Sequence, residues 1–163
     1  MSGTTHEYTS HLVWTGNHGT GTASYAGYGR EHEIHVIGKP SLAGSADPVF
    51  RGDPARHNPE DLFVAAVAAC HMLAYLALCA RHGVVVLDYE DRPRGILVTH
   101  AGGGGKFDEV VLSPVVTIAD GVHEALALEL HDTAHERCFI ARSCAVPIRH
   151  EATVRVAPAE MPA

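Results

Sequence analysis

The sequence predicts a single α+β domain with two helices set between groups of short strands. Three observations support this fold class. Runs of β-branched residues bounded by glycine and proline indicate strands, whereas one long apolar run behind a strong start signal indicates a buried helix. The order strands, helix, strands, helix, strand does not alternate as a doubly wound sheet does. With 163 residues, of which 46% are hydrophobic, the chain can bury one substantial core, and we expect residues 1–163 to form one domain.

The first third of the chain predicts short strands and then a long loop. Segments 8–14, 20–28 and 31–37 have the composition of strands separated by turns that contain glycine. Clusters of glycine, proline and aspartate predict a loop over residues 38–53. A loop of this length is unusual in a compact domain and is more often functional than idle.

A strong start signal opens the long helix. Asn58 suits the N-cap, Pro59 suits the first helical position, and Glu60 and Asp61 favour the positive end of the helix dipole. Gly83 supplies the C-terminal stop, which predicts a helix of roughly 35 Å at about 1.5 Å per residue. Since both sides of its middle are apolar, we expect this helix to be buried nearly all round.

The second half of the chain supplies the remaining elements of the predicted fold. Periodicity and breaker residues predict, in order, strands over 84–89 and 95–100 as a hairpin or bent strand, a strand over 107–118, a helix over 122–137 and a strand over 149–156. Pro114, inside the third of these strands, suggests an edge position or a bulge, because proline cannot donate a ladder hydrogen bond.

Composition and charge exclude several classes of partner. The net charge of −7 and the absence of a lysine or arginine cluster argue against nucleic acid or an anionic membrane. No signal peptide is visible, and the Ala-rich stretch 62–80 carries Cys70 and His71, so we interpret it as a core helix rather than a membrane span. We therefore expect a cytoplasmic protein, in which four cysteines point to catalysis, redox sensing or metal binding rather than to structural disulfides.

The cysteines occupy different positions in the predicted helices. Cys70 lies in the middle of the long helix, where a lone cysteine is most often a small buried hydrophobe. Cys79 follows nine residues later, on the opposite face at about 100° per residue, so these two thiols cannot bond within one helix. Cys138 is expected to begin a new short helix near Arg137 or Arg142, which would lower the pKa of its thiol.

Histidines near the end of the second helix offer an alternative chemistry. His131, His135 and Cys138 follow an i, i+4, i+7 spacing that would align them on one helical face as a three-ligand zinc set. With 13 histidines in the chain, such a spacing also arises by chance. His71 points about 100° away from Cys70 and cannot serve as its base within one helix. A non-enzymatic protein that binds a metal or a hydrophobic ligand, or a redox sensor, therefore stays open as an alternative function.

A motif joins the helix start to Cys70. Asn58-Pro59-Glu60 is followed by an apolar Ala-rich stretch and then by Ala-Cys, with the glutamate ten residues before the cysteine. This pattern resembles the signature of the OsmC/Ohr family, the osmotically induced and organic hydroperoxide resistance proteins. Residues 14–16, Trp-Thr-Gly, and 19–22, Gly-Thr-Gly-Thr, also resemble the opening strands of the OsmC branch. The resemblance covers nearly the whole chain.

The resemblance implies a thiol-dependent peroxidase that reduces organic hydroperoxides, and hydrogen peroxide as well. Carried over, Cys70 is the peroxidatic cysteine that attacks the peroxide, and Cys138 is the resolving cysteine that closes a disulfide. Glu60 and Arg51 are the carboxylate and the arginine that hold Cys70 as a thiolate. Two further arginines remain alternatives for that role: Arg56 and Arg30. The helix interior supplies no cation for a thiolate, and a sulfenic acid would over-oxidise without a second thiol.

One departure from the family concerns the second cysteine. In the family it usually opens a Cys-Pro-x-Ser stretch, whereas here residues 138–141 are Cys-Phe-Ile-Ala. The missing proline removes a rigid helix start, which makes Cys144 an alternative resolving residue. On spacing alone, Cys144 lies too far round from Cys138 for an easy bond, and that spacing favours a structural role.

The resemblance also implies a fold and an assembly. It implies antiparallel sheets wrapped around two central helices in an intertwined homodimer, with no cofactor and with recycling by a dithiol such as lipoamide. The residues agree with a dimer, because Glu60 and Cys70 lie about 15 Å apart along one helix and cannot meet. If both act in one site, a second subunit must supply Glu60, and with it Arg51.

Overall fold

The computed structural model describes residues 3–158, so the ends of the predicted domain, residues 1–2 and 159–163, lie outside the described residues. Strands and helices follow one another as an α+β chain, which confirms the predicted class. The strands are β1 (His11–Trp14), β2 (His32–His35), β3 (Leu42–Gly44), β4 (Val86–Asp91), β5 (Arg94–Thr99), β6 (Gly105–Leu112), β7 (Pro114–Ile118), β8 (Ile148–His150) and β9 (Thr153–Val156). The helices are α1 (Pro59–Arg81), α2 (Glu124–Arg137) and α3 (Phe139–Arg142), and 3-10 turns cover Pro48–Phe50 and Gly121–His123.

The chain divides into two compact units, one ending at Leu62 and the other beginning at Phe63. In the first unit β1, β2 and β3 form an antiparallel sheet in that order. The strand predicted over 20–28 is wrong, because this segment is a series of turns in which Gly21 has a φ of 55°. Glycine brings no side chain to pack on a sheet, and β3 forms instead within the stretch predicted as a loop. The single domain over residues 1–163 stays a prediction.

The second unit contains two three-stranded sheets, in the orders β4-β7-β9 and β5-β6-β8. Each sheet has one antiparallel and one parallel pair, so both are mixed where antiparallel sheets are expected. The hairpin expected between 84–89 and 95–100 is wrong, because β4 pairs with β7 and β5 pairs with β6. In this unit β4 therefore pairs with a strand beyond the next two, whereas β5 pairs with the strand that follows it.

The strand predicted over 107–118 is two strands that part at Ser113. The Ser113 N–H donates to Asp91 Oδ1 at 2.7 Å. Pro114 then begins β7, which is the central strand of its sheet, so the expected edge position is wrong. The first residue of a strand tolerates proline, because the missing N–H falls at the end of the ladder. The last predicted strand is likewise two, β8 and β9.

α1 begins and ends close to the predicted residues, and local contacts explain both ends. Asn58 Oδ1 accepts the Asp61 N–H at 2.7 Å, and Asp61 Oδ2 accepts the Asn58 N–H at 3.4 Å, which together form a reciprocal cap. At the other end Gly83 has a φ of 75°, and the Val84 N–H donates to the Cys79 carbonyl at 2.9 Å. The long helix is therefore confirmed with both of its end signals.

One side of α1 enters the core of the second unit. Its buried residues recur at helical spacing: Val67, His71, Tyr75, Leu78 and Cys79. The last three share a cluster with residues of β7 and α2, and Val67 packs with residues of β6. By length and apolar composition α1 would also suffice to cross a membrane, but these packed side chains fit a core helix. The opposite side of α1 is exposed to solvent, and Leu73 on that side is 63% exposed. The prediction that α1 is buried on all sides is therefore wrong for the single chain.

The Asn58 cap can be tested by substitution. Asn58→Ala should lower the free energy of unfolding by about 1 kcal/mol, because the first turn of α1 loses its acceptor. Asn58→Ser should keep most of the stability, since serine caps a helix in the same way. Urea denaturation followed by circular dichroism measures both variants, and equal losses in the two would contradict a capping role.

Candidate functional site

Two thiols meet where α1 passes the end of α2. Cys70 lies in the middle of α1, about one turn beyond the buried Val67, and Cys138 lies between α2 and α3. The Cys138 thiol lies next to the Cys70 thiol, and this neighbour helps to raise the pKa of Cys138. The structure thus brings together the two cysteines singled out by the sequence, while their catalytic roles stay predictions.

Burial dominates the environment of Cys138. The residue is 1% exposed, and burial raises the pKa of its thiol to about 11, with a smaller contribution from the neighbouring Cys70 thiol. The expected lowering of this pKa is therefore wrong. α3 has only a single turn. Its Ala141 N–H lies 3.4 Å from the Cys138 sulfur and lowers the pKa of the thiol, but the loss of hydration on burial raises that pKa by more. The guanidinium of Arg142 donates to the Glu136 carbonyl at 3.2 Å rather than to the thiol.

The other two cysteines have different surroundings. Cys79 is buried in the core, and burial raises the pKa of its thiol. Cys144 donates its S–H to a carbonyl of α3 at 3.1 Å and lines a cavity of about 500 Å³ together with Phe63 and Phe107. Cys70, in contrast, is partly exposed and also paired with another thiol.

The two charged residues predicted for the site belong to the first unit. Arg51 is exposed and follows the 3-10 turn Pro48–Phe50, where its backbone has a φ of 68°. Glu60 is half-buried in the first turn of α1. Because α1 is continuous, ten residues and about 15 Å of helix separate Glu60 from Cys70. The roles of Arg51 and Glu60 toward Cys70 stay predictions.

Both alternative arginines are engaged in their own loops. The Nε of Arg56 lies 3.5 Å from Asp53 Oδ2. The guanidinium of Arg30 lies 4.5 Å from the ring centre of Tyr25 and 4.0 Å from that of Tyr28, and it donates to the carbonyls of both residues. These contacts hold Arg30 and Arg56 in place locally, which favours Arg51 as the arginine available to a thiolate.

The zinc set considered as an alternative is not assembled. His131 Nδ1 lies 3.1 Å from His71 Nε2, so this ring nitrogen is occupied by a hydrogen bond. Cys138 lies beyond the last residue of α2, which breaks its helical alignment with His131 and His135. Among residues 3–158, no group of three or more His, Cys, Asp or Glu side chains is placed to hold a metal ion.

A buried histidine pair between α1 and α2 was not anticipated from the sequence. His71 and His131 are 1% and 0% exposed, and their rings are within 8° of parallel with centres 5.4 Å apart. Tyr75 stacks on His131 at 3.8 Å and donates its hydroxyl to the Ala127 carbonyl at 3.0 Å. The spacing of His71 and Tyr75, four residues apart on one side of an apolar helix, is a signal that could locate this contact.

Burial keeps both histidines neutral. It lowers the pKa of His71 to about 4 and that of His131 to about 3, and positive charge on neighbouring histidines adds to both shifts. One such neighbour is His150, whose ring centre lies 5.5 Å from that of His71 and whose Nε2 lies 3.1 Å from Asp132 Oδ1. Near neutral pH the pair is therefore an uncharged bridge between the two helices.

The chain is similar to known proteins of one family. The family model for OsmC-like protein matches residues 52–152. A solved structure of an OsmC-like protein of unknown function from Vibrio cholerae O1 biovar eltor is 30% identical, with a TM-score of 0.79, and the match covers 91% of this chain and 99% of that one. Among curated proteins, none matches the sequence.

Two more distant structures share the fold. The organic hydroperoxide resistance protein OhrB of Bacillus subtilis is 23% identical, with a TM-score of 0.57 over 91% of this chain and 98% of that one. An organic hydroperoxide resistance protein OsmC from Legionella pneumophila is 21% identical, with a TM-score of 0.65 over 93% of this chain and 100% of that one. At these identities the likeness shows the fold alone.

The histidine pair should make stability depend on pH. In the unfolded chain the two rings take up protons around the ordinary pKa of 6.5, whereas in the folded chain they do so only at about 4 and about 3. Between these values the unfolded state binds more protons. The free energy of unfolding should therefore fall as the pH drops below 6.5, by up to about 1.4 kcal/mol per pH unit for each ring.

Urea denaturation at a series of pH values between neutral and mildly acid measures this slope. His131→Gln should flatten it, because one of the two buried rings is gone. Leu130→Ala, which removes a buried neighbour on α2, should lower stability to the same extent at every pH. An unchanged slope in His131→Gln would show that the pair does not cause the pH dependence.

Proposed function

This chain belongs to the OsmC-like family, and from that membership we propose that it is a thiol-dependent peroxidase that reduces organic hydroperoxides, with hydrogen peroxide as a smaller substrate. The observation that carries the proposal is the adjacency of the Cys70 and Cys138 thiols. Two structures of the same fold are named organic hydroperoxide resistance proteins, which supports the same kind of reaction.

Burial distinguishes the proposed roles of the two thiols. Cys70 is partly exposed and open to a peroxide, so we assign it the attack. Cys138 is 1% exposed and its pKa is about 11, so it stays a thiol and can donate its S–H to the Cys70 sulfur.

The proposed cycle has three steps. The Cys70 thiolate attacks the outer peroxide oxygen, the O–O bond breaks, and the alkoxide takes a proton from solvent and leaves as an alcohol, so that Cys70 becomes a sulfenic acid. The Cys138 sulfur then displaces the hydroxyl of that acid, its proton leaves with the hydroxyl as water, and a disulfide forms. A dithiol such as the reduced, dihydro form of lipoamide reduces both cysteines and is itself oxidised to a disulfide, which suits the reducing cytoplasm proposed as the location.

An apolar cavity supports an organic substrate. The cavity measures about 500 Å³, and its lining includes Phe63, Phe107 and Pro147. Phe63 precedes Cys70 by seven residues, which is about two helical turns, so both lie on the same side of α1 and about 10 Å apart along its axis. The organic group of a hydroperoxide held in this cavity would extend toward the attacking thiol.

The proposed site takes residues from a second copy of the chain. Glu60 and Cys70 cannot meet along one continuous helix, so we assign Glu60 and Arg51 of one copy to the Cys70 of its partner in a homodimer. The exposed side of α1 supports this assembly, because an apolar stripe of this length is typical of a covered surface. Its residues are mostly small: Ala65, Ala66, Ala69, Leu73, Ala77 and Ala80.

Substitution of the cysteines tests the reaction. Cys70→Ser should abolish consumption of an organic hydroperoxide in the presence of a dithiol, because the attacking sulfur is gone. Loss of peroxide is followed colorimetrically with purified protein. Cys79→Ala, which alters a core thiol, is the matched control and should keep the rate of the unaltered protein. Full activity in Cys70→Ser would end the peroxidase proposal.

The resolving role is tested separately. Cys138→Ser should stop turnover after one equivalent of peroxide and leave Cys70 open to over-oxidation, which mass spectrometry detects as added oxygen. Cys144→Ser should keep cycling. The reverse pattern in these two variants would transfer the resolving role to Cys144.

The homodimer is tested on the exposed side of α1. Leu73→Glu should shift the protein from dimer to monomer in light scattering, because a charge would be buried in the apolar interface. Leu128→Glu places the same charge on an exposed leucine of α2 and should leave the dimer intact. A protein that is monomeric without any substitution would refute this assembly.

A further inference from the structure

We propose that Asp47 is a positioning residue that holds Arg51 in the conformation used by the thiol site. The proposal rests on the function proposed above, in which Arg51 holds Cys70 as a thiolate. It goes further because it assigns a role to a carboxylate outside the predicted site residues.

Arg51 has an unusual backbone conformation. With a φ of 68° and a ψ of 27° it lies in the left-handed region, and among residues 3–158 it is the only residue other than glycine with a positive φ. A side chain in this region costs free energy, so neighbouring contacts must impose the conformation. Glycine would serve in such a turn without that cost. The positive φ of an arginine here favours a role for its side chain.

Asp47 supplies contacts that impose this conformation. Its Oδ1 accepts the Val49 N–H at 2.8 Å, which caps the 3-10 turn that leads into Arg51. Its carbonyl accepts the N–H groups of Phe50 and Gly52 at 2.9 and 3.0 Å. The residues on both sides of Arg51 are therefore bonded to the Asp47 backbone, and the Asp47 side chain adds the bond to Val49 at the start of the turn.

The turn is also closed at its far end. A Cβ on Gly52 would lie 1.6 Å from the Ala46 carbonyl oxygen, so the chain doubles back closely on itself. Ser45 is fully buried, accepts the Asp53 N–H on its hydroxyl at 3.0 Å, and donates its own N–H to the His57 carbonyl at 2.9 Å. Since His57 directly precedes the cap of α1, the Arg51 turn and the start of α1 are held together.

The side chain of Asp47 acts through its oxygen rather than through its charge. The carboxylate is bonded to a backbone N–H of the turn, and with that backbone fixed only the side-chain torsions of Arg51 remain to be ordered. A guanidinium whose backbone is fixed loses less conformational freedom when it binds an anion. Small misplacements of such a group lower the reaction rate. An uncharged side chain with the same oxygen should therefore replace Asp47.

Asp47→Ala tests the inference because it removes the capping oxygen. We expect kcat/KM for an organic hydroperoxide to fall about tenfold. We also expect the pH profile of Cys70 alkylation by iodoacetamide, followed at that residue by mass spectrometry, to move to higher pH. Asp47→Asn keeps the oxygen and should restore both values. Added to Arg51→Ala, the substitution Asp47→Ala should cause no further loss, because Asp47 acts through Arg51.

The matched control is Asp120→Ala. Asp120 caps the other 3-10 turn in the same way, with Oδ1 3.0 Å from the Val122 N–H, and α2 separates it from Cys138 by about 20 Å. This variant should change neither kcat/KM nor the alkylation profile. If Asp47→Ala does not fold, Asp47→Glu takes its place, because it keeps the charge, displaces the oxygen and should show the same loss.

Two results would overturn the positioning role and leave the peroxidase proposal standing. One is an Asp47→Ala protein that behaves like Asp120→Ala while Cys70→Ser is inactive. The other is an Asp47→Asn protein as impaired as Asp47→Ala, which would make the charge decisive. Full turnover in Cys70→Ser would instead refute the proposed function itself.

Discussion

The packing of α1 on α2 through His71, Tyr75 and His131 is the contact on which the thiol site depends. His71 follows Cys70 directly in α1. Its hydrogen bond to His131, together with the stacking of Tyr75 on the same ring, fixes the rotation of that helix against α2. A rotation of α1 by one residue would turn every side chain by about 100° and carry Cys70 away from Cys138. The pair can hold this position because both rings are neutral in the core. The histidines thus set the geometry of the cysteines.

The features of the fold that depend only on neighbouring residues, such as the ends of α1, were predictable from the sequence. Asn58 and Gly83 mark the two ends of α1 because a cap and a left-handed stop involve only neighbouring residues. The pairing of β4 with β7 joins distant parts of the chain, so it could not be predicted from the residues of β4, whereas β5 pairs with the strand that follows it. Pro114 lacks the N–H that a strand inside a sheet donates, so its sequence position suggests an edge strand. As the first residue of β7, however, it lies at the end of the hydrogen-bond ladder, where that N–H is not required.

The site was predictable to a similar extent. On composition alone, Cys70 in an Ala-rich helix indicates core packing, and only the motif that precedes it predicts a reactive thiol. The pKa of Cys138 depends on how deeply tertiary packing buries it, and burial outweighs the short helix behind it. The His71–His131 contact joins residues 60 positions apart, beyond the reach of spacing rules within one helix.

The sulfur of Cys138 is also the first cap of α3, since it accepts the Ala141 N–H at 3.4 Å. Formation of a disulfide would turn this sulfur toward Cys70 and take the acceptor away, so oxidation would loosen a helical turn that reduction rebuilds. An interaction present only in the thiol form stabilises that form and makes the disulfide more oxidising. In the proposed cycle, such a cross-link would be easily broken by an external dithiol, unlike a disulfide that secures a fold.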